Sequence, residues 1–167
     1  MQKHVEAIII RQHRYKKIFV QDVAVIDESF HQILRTNYTE YNAEASAKTK
    51  VEKFVESGSM EYFFDNAPAP NGKGWADCQK LLIPINYDDI HWILGIVEIK
   101  KRCIKIYGNS PGTITHPRLL ELMESFVKMI PKMVYYGQGV DESELHLYKD
   151  DPFRLEKLQG APRTYST

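Results

Sequence analysis

Residues 81–110 read LLIPINYDDIHWILGIVEIKKRCIKIYGNS and hold the longest apolar runs of the chain. Leu81 to Ile85, Trp92 to Ile99 and Cys103 to Tyr107 are short and rich in β-formers, with Asn86-Tyr87-Asp88-Asp89 and Lys100-Lys101-Arg102 between them. Short apolar runs bounded by turn or charged residues favour strands over helices. The stretch therefore predicts a meander of buried strands with the basic triplet at the tip of the second hairpin. With that turn centred on Lys100, Glu98 faces Arg102, Ile93 faces Tyr107 and His91 faces Asn109. Directly opposed residues share a face with Cβ atoms roughly 4.5–5.5 Å apart, which sets an imidazole beside an amide. The tip lacks the Gly or Asn that tight hairpins prefer, so a slip of one residue, moving Asn109 to the other face, stays open. A plain core hairpin whose terminal polar residues only face water stays open too.

A histidine held by an Asn or Asp is half of a nucleophilic device. The partner accepts a hydrogen bond from one ring nitrogen and so aims the other at a thiol or hydroxyl. The ordered set IPIN, His91-Trp92, apolar strand, basic turn, strand and Tyr107-Gly108-Asn109-Ser110 is similar to the central motif of the ubiquitin-like protein (SUMO) proteases, a family of cysteine peptidases. The resemblance implies an α+β chain with the papain-like cysteine protease fold, a central mixed or antiparallel sheet flanked by helices. It implies His91 as general base, Asn109 as the residue orienting it, and Trp92 as a wall of the tunnel that holds a diglycine tail. The implied partner is a ubiquitin-like protein or its conjugates.

The departures bear on activity. Asn109 stands where most members carry Asp, and an amide supplies no charge to an imidazolium. The Asp-Cys-Gly motif of the family's nucleophile is missing, as are the Gln ahead of it and the Trp-Leu-Asn-Asp type motif expected before the first helix. Residues 153–162, FRLEKLQGAP, look like the strand and bend that lead into the nucleophile motif. The expectation is a single domain over residues 1–167, incomplete before its catalytic cysteine and inactive by itself.

The two cysteines, Cys78 and Cys103, are too few for a disulfide framework. Cys103 falls in a predicted buried strand, where a thiol serves as a small apolar filler. Cys78 precedes His91 in papain-like order, yet no helix begins there to lower its pKa. The 167 residues are 43% hydrophobic and 26% charged, enough for one core. Lys+Arg and Asp+Glu number 22 each, so net charge makes no general case for nucleic acid or an acidic membrane. No apolar run approaches the roughly 20 residues a bilayer span needs. Ala7 to Ile10 is too short for a signal peptide, which gives an intracellular expectation, nucleus or cytoplasm. The six histidines are dispersed without metal-ligand spacing, and no phosphate or dinucleotide loop is present, so no metal or cofactor is expected.

Outside the central stretch, Val5 to Ile10 and Ile18 to Ile26 predict an N-terminal hairpin around the basic turn 11–17. Glu28 to Asn37 and Ala43 to Glu56 predict helices, the first with Asp27 near its N-cap. Met60 to Phe64 predicts a core contact, and Asp65 to Gly74, DNAPAPNGKG, a loop. Pro111-Gly112 marks a turn, and Thr115 caps a helix predicted to end at Ile130 with a broad apolar stripe. Tyr135 to Asp151 reads as a solvated acidic loop. The functional expectation is a cysteine-type peptidase domain cleaving after a Gly-terminated tail, its nucleophile absent from this chain. The alternative is a catalytically inactive binding module that keeps the groove; a structural piece of a mobile element is a third.

Overall fold

The apolar runs of the central stretch, separated by turn and charged residues, form the middle of a mixed five-stranded sheet with spatial order β1-β2-β3-β4-β5. The computed structural model describes residues 23–63, 75, 78–87, 91–108 and 116–157. The strands are β1 (Val23–Val25), β2 (Lys80–Tyr87), β3 (His91–Glu98), β4 (Cys103–Gly108) and β5 (Arg154–Lys157). β2, β3 and β4 form the predicted antiparallel meander, while β1 and β5 add in parallel at the edges. Pro84 sits within β2, where its missing N–H is tolerated because β1 stops opposite Leu82. Most of the N-terminal hairpin, the Asp65 to Gly74 loop, Pro111-Gly112, Thr115 and the bend after β5 lie outside the described residues.

The second hairpin takes the slipped register. Glu98 pairs with Cys103, not Arg102, and Ile93 pairs with Gly108, not Tyr107. The reason is a four-residue loop, Ile99 to Arg102, closed by the Arg102 N–H donating to the Ile99 carbonyl at 3.0 Å. Its last residue, Arg102, takes the left-handed conformation at φ 52°. That geometry costs a non-glycine residue about 1–2 kcal/mol. Tertiary contacts offset it: the guanidinium lies 5.8 Å from the Tyr148 ring centroid and 3.5 Å from Asp151, and the Arg102 carbonyl accepts the Arg154 N–H at 3.0 Å.

Leu81, Ile83 and Ile85 of β2, Ile93 and Val97 of β3 and Ile104 and Ile106 of β4 face the core, and all are buried. Gly95 keeps this layer level, since a Cβ there would come within 3.2 Å of Ile85 Cδ1. Helices α1 (Ser29–Ala43), α2 (Ala47–Val55), α3 (Gly58–Phe63) and α4 (His116–Tyr136) supply the other half of the core. Asp27 starts α1 by accepting the Ser29 N–H at 2.8 Å. α1 outruns its predicted end at Asn37 by six residues, because Tyr38 and Tyr41 pack against the core cluster. The chain then breaks at Ser46, whose hydroxyl accepts from Thr49 and restarts the helix as α2.

α4 corrects a second expectation, running through Pro131 to Tyr136 rather than stopping at Ile130. A proline in a helix leaves the carbonyl four residues earlier without its donor, at a cost of about 3 kcal/mol. Here that carbonyl belongs to Val127, and it accepts the Phe153 N–H at 2.9 Å instead. The same bond anchors the segment that enters β5.

The end of α4 forms a C-terminal cap with Gln138 left-handed at φ 54° and the Gly139 N–H bonded to the Val134 carbonyl at 2.9 Å. Gln138→Gly is expected to raise the unfolding free energy by about 1 kcal/mol, read from urea denaturation. The stretch beyond is not the solvated loop the composition suggested. It folds into α5 (Glu142–Leu145) and a 3₁₀ turn (His146–Tyr148), and it buries Tyr148, whose hydroxyl donates to the Ile99 carbonyl at 3.1 Å.

Candidate active site

The β2–β3 ladder ends at the pair Tyr87 and His91, with Asn86 opposite Trp92 one step inside. His91 therefore opens β3 at the rim of the sheet, where its backbone is held by the strand. Asn109 lies outside the described residues. The register that put it opposite His91 is not the one adopted, because the last described pair of β3 and β4 is Ile93 with Gly108. A Cβ at Gly108 would meet only Ile93 Cγ2 at an ordinary 3.7 Å, so packing does not demand glycine there.

Trp92 shares its face with Asn86, Pro84, Leu94, Leu82, Ile96 and Tyr107, the side of the sheet turned away from the helices. Trp92, Leu82, Leu94, Ile96 and Tyr107 are half-buried, so this face is apolar without being closed. Sequence reasoning passed over Asn86. Its Oδ1 is buried and finds no donor among the described residues, and a buried acceptor left unpaired costs about 1–3 kcal/mol. The signal was the polar residue ending IPIN, one ladder step from His91.

Neither cysteine stands near His91. Cys78 precedes the first residue of β2, and Cys103 pairs with Glu98 at the last residue of β3. Both are thus about seven strand residues, roughly 23 Å, from the His91 end at ~3.3 Å per residue. Both are buried. Burial pushes the Cys103 thiol up, and its hydrogen bond to the Glu156 carboxylate adds to that. A thiol held neutral in this way is a poor nucleophile. Cys103 is buried outside the apolar core cluster, on the face it shares with Glu98, and is hydrogen-bonded rather than merely filling space; the papain-like order of Cys78 and His91 is not matched in space.

Among the described residues, His31 on α1 is the histidine whose surroundings move its pKa. Burial, then the Arg35 charge, lowers it, and its ring lies 5.2 Å from the Phe126 ring. That environment favours a neutral packed ring rather than a catalytic one. Among the described residues no group of three His, Cys, Asp or Glu side chains could hold a metal ion. No helix among them is long and apolar enough to cross a membrane.

Comparison with known proteins agrees with the mixed sheet and its flanking helices. Residues 5–167 match the model of the Ulp1 protease family, C-terminal catalytic domain. No curated protein matches the chain. Among solved structures, the SUMO protease Ulp1 with its catalytic cysteine oxidised to a sulfonic acid superposes with a TM-score of 0.52 at 16% identity, over 96% of this chain and 59% of that one. The C-terminal Ulp1 protease domain in complex with Smt3, the yeast ortholog of SUMO, is 18% identical over 92% of this chain and 54% of that one, with a TM-score of 0.44. The chain thus spans less than two thirds of the length of these solved relatives. With the family model matched along residues 5–167 and the sheet and helices it calls for in place, this chain belongs to the Ulp1 protease family.

Proposed function

We propose that the chain is the base-bearing part of a cysteine peptidase domain that acts on the Gly-terminated tail of a ubiquitin-like protein. The observation carrying this reading is the placement of His91-Trp92 at the rim of the β2–β3 ladder, in a chain matched along residues 5–167 by the family model. His91 takes the proton from a thiol, the thiolate attacks the glycine carbonyl, and His91 then protonates the leaving amine. Asn109 orients the ring. Trp92 walls the tail, and the unpaired Oδ1 of Asn86 beside it is an acceptor suited to a backbone N–H of an extended glycine segment. The nucleophile is a cysteine other than Cys78 and Cys103, supplied from outside this chain.

The distance of both cysteines from His91 favours a second reading as well, a binding module that holds the tail without cleaving it. One experiment addresses both: the chain is mixed with a ubiquitin-like protein carrying a C-terminal electrophile. Affinity without a covalent adduct is expected, weakened about tenfold or more by Trp92→Ala. An adduct at Cys78, or binding indifferent to Trp92, would sink the assignment. In a chain continued by an Asp-Cys-Gly segment, adduct formation should appear and be lost in His91→Ala. Labelling that survives that substitution removes His91 as the base, and a continued chain that binds without labelling leaves the binding module.

A further inference from the structure

At the end of the sheet opposite His91 the strand ladders bring basic residues into one patch. Lys80, Glu98, Cys103 and Arg154 form one row across β2 to β5, with Leu82, Ile96, Lys105 and Glu156 in the next. Glu98 is only 7% exposed and is the centre of the patch: Lys105 lies 2.8 Å from Oε2, and Lys101 and Lys80 lie 3.0 and 3.7 Å from Oε1. One carboxylate thus gathers three ammonium groups. Lys100 stands exposed at the adjoining turn. The other acids here are already engaged, Glu156 with Arg154 at 3.8 Å and Asp151 with Arg102 at 3.5 Å. A surplus of positive charge therefore collects on one end of a chain whose formal net charge is zero.

We infer that this end of the sheet, Lys80, Lys100, Lys101 and Lys105 around the buried Glu98, is a docking surface for an acidic protein segment with aliphatic side chains among its carboxylates. Glu98 holds Lys80, Lys101 and Lys105 in an array, so an incoming carboxylate meets positioned donors, with exposed Lys100 beside them. Half-buried Leu82 and Ile96 adjoin the lysines and give an aliphatic side chain somewhere to rest. An acidic peptide fits better than nucleic acid. The patch is about four strands wide, on the order of 15–20 Å, and a single tyrosine, Tyr107, is the nearest ring on that face, too little for base stacking. The surface is also about 23 Å from His91 by strand length, so it engages a region of a partner other than the tail.

The test uses the chain itself and a fluorescein-labelled peptide of Asp and Glu with two central leucines, followed by fluorescence anisotropy. Binding is expected to weaken as salt rises. The double variant Lys80→Ala, Lys101→Ala should weaken it about tenfold or more, and Lys48→Glu on α2, an equal change in net charge, should leave it within about twofold. Lys100→Glu, at an exposed turn position, must weaken it as well, which keeps the result decisive where the double variant unfolds. No measurable binding, equal loss in Lys48→Glu, or tighter binding of a single-stranded oligonucleotide of similar length would each overturn the inference.

Discussion

Phe30→Ala is expected to lower the unfolding free energy by about 3–5 kcal/mol, the range for emptying a large aromatic site in a closed core. Phe30 has no exposed surface. Its ring meets the edge of Trp75 at 5.2 Å and of Phe126 at 6.2 Å between centroids, so it joins α1 to α4 and to the segment ahead of β2. Edge-to-face pairs of this kind add about 0.5–1.5 kcal/mol beyond the area they bury. Urea denaturation should show the midpoint falling with an unchanged slope, the mark of lost stability in a structure that still unfolds as one unit. A loss under about 1 kcal/mol would mean that the three rings do not form one packed layer.

Glu98→Gln is the second large effect, a loss of about 2 kcal/mol at neutral pH. Hydrogen bonds from Lys105 and then Lys101 hold the Glu98 carboxyl down at about 2, against the penalty of its burial. Its folded pKa is below the unfolded value of 4.5, so the unfolded chain takes up the proton first. The stabilisation is therefore complete above about pH 4.5 and is lost as pH falls toward 2. The full shift corresponds to more than 3 kcal/mol at about 1.4 per unit. Two of the three lysines have side chains at least half exposed, so solvent screening reduces the figure. Glutamine keeps the shape and cannot balance the ammonium groups. The variant should lose most of the wild-type pH dependence between about 4.5 and 2, and an unchanged acid limb would show that another carboxylate governs it.

The meander was legible because apolar runs and turn formers alternate at strand length between Leu81 and Tyr107. The apolar stripe from Leu119 to Ile130 was legible because it repeats at helical spacing. His91-Trp92 stood out for its place before an apolar run. Asn86 did not, since an orphaned acceptor exists only once a strand has buried it. Cys78 showed the opposite difficulty, plausible by its order in the chain and removed by the length of a strand.

The sequence by itself determined the three central strands, the helices α1, α2 and α4 apart from their ends, and that His91 opens a strand, because these follow from local periodicity and turn chemistry; the short helices α3 and α5 were not legible in it. The tertiary structure decided the hairpin register and the length of α4. Arg102 accepts a left-handed backbone because Tyr148, Asp151 and Arg154 engage it. Pro131 stays inside a helix because Phe153 supplies the hydrogen bond its ring withholds. In both places a cost written into the local sequence is offset by a residue far along the chain, and no window of neighbouring residues contains that information.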